Sequence, residues 1–129
     1  MTDPYRKHIK DGREIYVPNW PCDVALQNLS QASKCFGDEN IIKIAEMNIP
    51  AGIVALMGAD DPAMAARLIK HFVCQVRIDG DKIEPDTLNS MFEGSKGLAV
   101  VMELFCHVMH SQFSDFFDLG LAKEPSQEQ

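Results

Sequence analysis

The chain has 129 residues, 46% of them hydrophobic and 24% charged, a composition that suits one folded domain and excludes a disordered chain. Its formal net charge is −7 and its pI is near 4.9, which argues against nucleic acid as a partner, since a phosphate backbone is gripped by clustered Lys and Arg. No apolar run approaches the roughly 18 uncharged residues of a membrane-spanning helix and the stretch Met1 to Lys10 is polar, so neither a membrane nor export is expected.

In chain order, residues 1–7 read as a flexible N-terminus. His8 to Val17 then places an Asp11-Gly12 turn between short stretches, the second rich in β-formers, and Pro18 stops further pairing. A small N-terminal β-hairpin over residues 8–17 is predicted, the one segment read outright as β structure. Behind Pro18 and Pro21, Asp23 can cap a helix whose apolar residues Cys22, Leu26, Leu29, Ala32 and Phe36 recur every three or four positions, with Gly37 ending it. A second helix starts at Asp38 and carries Ile41, Ile42, Ile44 and Ala45 before Asn48 and Pro50 break it. The next stretch, Ala51 to Met57, is apolar on every side and closes at Gly58, the pattern of a helix buried at the centre of the core.

Asp60 and Asp61 before Pro62 form a helix-start signal, because a carboxylate accepts the free backbone N–H groups and proline fits the first turn. The helix that follows runs to about Val76. At about 100° per residue, Ala65, Leu68, Ile69, Phe72, Val73 and Val76 share one arc, while Arg67, Lys70, His71 and Cys74 share another and form a local basic patch. Arg77 to Ile83 holds a second Asp-Gly turn and reads as a small hairpin or an ordered loop. A short helix follows from Pro85 to Phe92, ending at Gly94. The last helix, from about Lys96 to Phe117, is capped by Ser95, and its apolar residues spread over roughly 200° of the wheel, twice the usual width. Such an arc needs cover on two sides, so self-association is expected, with Phe113 and Phe117 leading. Residues 120–129 are polar and read as a disordered C-terminal tail. The fold expected is mainly α: a single compact helical domain of about five or six helices over 8–119, with a small N-terminal β-hairpin.

Cys22, Cys35, Cys74 and Cys106 are widely spaced, with no Cys-x-x-Cys pair, and read as reduced thiols. His71-x-x-Cys74 on one helix and Cys106-His107 with His110 on another offer the ligands zinc prefers. On the wheel, however, these residues lie on or beside the polar arcs, whereas the helices should pack through their apolar arcs. A shared metal would require the wrong faces to meet. No metal and no cofactor are therefore expected, and the histidines read as solvent-facing. A Cys nucleophile with a His base lacks any orienting acid or oxyanion hole in the sequence. Asp79-Gly80-Asp81-x-x-Glu84 has Glu84 where a calcium loop needs glycine. Phosphate-binding loops and the G-x-S-x-G elbow have no match, so no catalytic residue is expected. What remains is protein binding. Arg67 and Lys70 of the basic arc and Phe113, Phe116 and Phe117 at the end of the last helix are the candidate interface residues, although the phenylalanines read first as core.

Several pieces of the chain occur in an order that resembles phage tail assembly chaperones. They are Val76-Arg77-Ile78-Asp79-Gly80-Asp81-Lys82-Ile83, Met91-Phe92-Glu93-Gly94, Glu103-Leu104 and Phe113-Ser114-Asp115-Phe116-Phe117. The opening Lys10-Asp11-Gly12-Arg13-Glu14-Ile15-Tyr16-Val17-Pro18 is similar to the strand-turn-strand start of that family. The resemblance implies a mainly helical fold, no catalysis, self-association, and action in the bacterial host cytoplasm. It also implies binding to the aggregation-prone tape measure protein while tail tube subunits polymerise around it. Two other readings fit the same residues: a small acidic phage-encoded inhibitor of a host protein, whose charge would mimic nucleic acid, and a zinc-binding regulator.

Overall fold

The computed structural model describes residues 5–122. The predicted turn at Asp11-Gly12 forms, with Gly12 at φ 95°, and it joins β1 (Tyr5–His8) to β2 (Glu14–Val17) in the register Tyr5↔Val17 to His8↔Glu14. The first strand thus pairs from Tyr5, so residues 5–7 belong to the hairpin instead of preceding it. Of the expected flexible N-terminus, residues 1–4 lie outside the described residues, as do 123–129 of the expected tail.

Arg77 to Ile83 adopts the hairpin alternative, as β3 (Arg77–Ile78) and β4 (Asp81–Lys82), and β3 pairs with β2. The two hairpins make one antiparallel sheet in the order β1-β2-β3-β4, in which the N-terminal hairpin supplies the two longer strands. Asp79 closes the join: its carboxylate accepts the Glu14 N–H at 3.1 Å, and its own N–H donates to the Glu14 carbonyl at 2.8 Å. Ile15, Val17, Ile78 and Ile83 turn into the core while the alternate residues face outward, the period of two that a half-buried sheet demands.

Among the described residues six α-helices complete the fold: α1 (Cys22–Phe36), α2 (Asp38–Ala45), α3 (Ile49–Met57), α4 (Pro62–Val73), α5 (Pro85–Met91) and α6 (Gly94–Phe117), the last running into a single π-type turn, Asp118–Ala122. The mainly helical fold class is as expected. The α4 start matches its signal, since Asp61 accepts the Met64 N–H at 3.1 Å. Two other caps do not form as expected. Pro21 occupies the cap of α1, with Asp23 inside the first turn, and Glu93 occupies that of α6, which takes in Gly94 and Ser95.

α6 is the axis, packed on α2, α4, α3 and β2. Every residue from Met102 to Met109 is buried, so the wide apolar arc is covered within the chain along its middle. Phe105 stands at the centre, 5.8 Å from the Phe36 ring and 5.5 Å from that of Phe72, which in turn meets Trp20 edge-on at 5.1 Å. The expectation for α3 is overturned. It is not the centre of the core; only Gly52 and Ala55 are buried, while Ile53, Val54 and Met57 are 41%, 64% and 79% exposed. The reason is the size of what touches α6. A Cβ on Gly52 would stand 3.4 Å from Met102 Cε and 3.7 Å from Cys106 Sγ, so α3 lies close on α6 through its smallest residues and its large ones point away.

Candidate functional site

The cysteine and histidine pairs occupy three separate environments. His71 is exposed and Cys74 buried on α4. Cys106 is enclosed on α6, where burial pushes its thiol up to about 12. His110 holds the Ala45 carbonyl at 2.8 Å. Among the described residues, no group of three or more His, Cys, Asp or Glu is placed to hold a metal.

His107 corrects the reading of solvent-facing histidines, for it is 7% exposed. Its Nε2 lies 3.6 Å from the buried Glu103 carboxylate, and its Nδ1 accepts from Tyr5 Oη at 2.9 Å when the ring proton faces that carboxylate. Glu103 also accepts the Lys10 N–H at 3.1 Å. Burial lowers the His107 pKa, against the opposing pull of Glu103. This network is an anchor: two buried polar side chains of α6 satisfy groups on β1 and the following turn, and so fix the sheet against the helices. Gln112 does the same one turn and a half later, donating to the Pro18 carbonyl at 2.8 Å and accepting the Trp20 N–H at 3.1 Å.

Two surface grooves are better suited to binding, and α1 borders both. α1 packs through Asn28, Ala32 and Phe36, leaving Leu26 56% exposed. Of the predicted stripe, Ala32 and Phe36 are buried and Leu29 packs against the core, but Cys22 and Leu26 face outward, and the polar Asn28 is buried beside them. An i, i+4 row through 28, 32 and 36 is the signal that could have revealed this.

The first groove, about 470 Å³, lies between α1, α2 and the end of α6. Leu26, Leu29, Ile41 and Ile42 form its walls with Phe116 and Phe117. Asp38, held by the Ser33 hydroxyl, sits among them. The three phenylalanines of the candidate set divide here. Phe113 is 3% exposed and packs on Trp20 and Phe117. Phe117 is 9% exposed and backs the groove, while Phe116 is 52% exposed beside it. Leu26 and Phe116, from helices far apart in sequence, thus face the same space.

The second groove, about 770 Å³, runs between α1 and α4 and is bordered by the outer strand β4. Arg67, Lys70 and His71 line it as the wheel predicted, and Lys82 of β4 joins them, which the sequence pattern of one helix could not reveal. The surrounding charge acts on Cys74: burial raises its thiol pKa, Lys70 and Lys82 oppose this, and Glu84 adds to it. Gln27, Asn28, Gln31 and Gln75 supply amides. Asn28 is 6% exposed, and its Nδ2 has no hydrogen-bond partner. An unmet buried donor costs about 1–3 kcal/mol.

No helix among the described residues is long and apolar enough to cross a membrane. No curated protein and no solved structure is significantly similar to the chain. The family model described as phage tail assembly chaperone protein matches residues 12–123, from the Asp11-Gly12 turn through both grooves. With that match spanning most of its length, the chain belongs to the phage tail assembly chaperones, a family of binding proteins and not of enzymes.

Proposed function

We propose that the protein binds the tape measure protein of a long-tailed phage in the host cytoplasm and keeps it soluble while tail tube subunits assemble on it. The observation that carries this reading is the apolar groove between α1, α2 and α6. A folded chain that buries α6 from Met102 to Met109 has no packing reason to leave Leu26 and Phe116 facing one open concavity, and apolar clefts of this kind take the apolar face of a helix from a partner. A very long helical client offers such faces repeatedly. Self-association belongs, in this reading, to another exposed apolar surface, Ile53, Val54 and Met57 of α3. That surface comes from a single helix, so it can pack on its own copy about a two-fold axis.

Co-expression of the chain with the tape measure protein tests the proposal. Soluble tape measure protein should increase and should co-purify with the wild-type chain, and Phe116→Asp should abolish both. No gain in solubility, together with a tight complex with one identified host protein, would instead establish the inhibitor reading.

A further inference from the structure

We propose that the groove between α1 and α4 is a second docking site, which takes an extended, Asp- and Glu-bearing segment of a partner protein. The chain carries 19 acidic against 12 basic residues, yet three cations and His71 gather on one concavity with no Asp or Glu among its described lining residues. Arg67, Lys70 and Lys82 make no ion pair among the described residues, so their charge is unspent within the fold. The acidic remainder of the surface repels a polyanion at range, which favours a segment with a few spaced carboxylates over the continuous phosphates of DNA or RNA.

The amides sharpen the choice. Side chains such as Gln27, Gln31 and Gln75 both donate and accept, which suits the alternating N–H and C=O groups of an extended backbone. Carboxylates on Arg67, Lys70 and Lys82, with main-chain groups on the amides, fix both the charge and the extended form of the ligand.

The site is separate from the apolar groove, so the two can be tested apart. The probe is a short fluorescein-labelled peptide alternating Glu and Gly, with a copy carrying Gln for Glu, and binding to the full chain is read by fluorescence anisotropy. The Glu peptide should bind and weaken as salt rises, and the Gln copy should not bind. Arg67→Glu and Lys70→Glu should each weaken binding roughly tenfold, and Phe116→Asp should leave it unchanged. Lys82→Glu, at an exposed strand residue, serves where an α4 variant does not fold by circular dichroism. Equal binding of the Gln copy, or no response to charge reversal, overturns the proposal. Tighter binding of a single-stranded oligonucleotide of the same charge overturns it in favour of nucleic acid. Failure of the peptide test leaves tape measure solubility untouched, and the reverse also holds.

Discussion

α3 is apolar on every side and the middle of α6 carries Glu103 and His107 among its apolar residues, yet α3 keeps two buried residues and Met102 to Met109 are buried without exception. Hydrophobicity alone does not separate them. α6 carries Phe105, Leu104, Val108 and Met109, which fill the space between several elements, whereas α3 meets α6 at Gly52 and turns its large residues outward. A helix becomes central when large side chains reach neighbours on all sides. A helix that approaches through small residues saves space but leaves its own bulk outside.

The sharpest test of this contrast is truncation. Phe105→Ala removes a ring that is 1% exposed and touches those of Phe36 and Phe72, and should cost about 3–5 kcal/mol in urea unfolding. Met57→Ala, at a residue 79% exposed, should change stability by no more than about 0.5 kcal/mol. Next in size is Gly52→Leu. Its side chain must displace Met102, Ile44 and Cys106, so a loss of about 1–3 kcal/mol is expected, along with faster thiol labelling of Cys106 as α3 lifts. In the wild-type chain the exposed Cys22 should react first with a thiol reagent. Cys106, enclosed and with its thiol pushed up to about 12, should react only on unfolding.

The smallest effect should come from acid, acting on the charged network set into the enclosed part of α6. The folded-state pKa of His107 lies below the ordinary histidine value because its burial disfavours the cation. As pH falls through about 6.5, the unfolded chain binds a proton that the folded chain refuses, so stability declines until the lowered folded pKa is passed and then levels off. Urea midpoints measured from neutral to mildly acidic pH should show this slope, and His107→Gln should flatten it. An unchanged slope in the variant would assign the acid sensitivity to other groups.

These contrasts also mark how far the residues announce the fold. The helix α4 could be read from Asp61-Pro62 and an unbroken period of apolar residues, and Arg67 with Lys70 fell on its outer arc, where the structure places them. Local chemistry decides such features. The burial of α3 could not be read locally, because what counts is the size of the facing residues on another helix. Lys82 and the amides of the basic groove come from other elements, so no helical wheel brings them together with Arg67. Glu103 and His107 look like surface residues until β1 and its turn supply their partners. The rotation of α1, which buries Asn28 and exposes Leu26, breaks the usual preference at two positions, and each of them lines a groove. Departures of that kind gather where a protein binds something.

The ties from α6 to the first strand and the loop behind it also bear on the timing of synthesis. Tyr5 is joined to His107 across 102 positions, Lys10 to Glu103 across 93, and Pro18 to Gln112 across 94. A ribosome therefore releases the first hairpin long before any of its partners exist, and contacts this distant in sequence form slowly. The apolar groove has the same dependence, since Leu26 emerges early and Phe116 late. A half-made chain has no completed cleft for a client, so the protein becomes competent to bind only when α6 has left the ribosome and closed on the elements made before it.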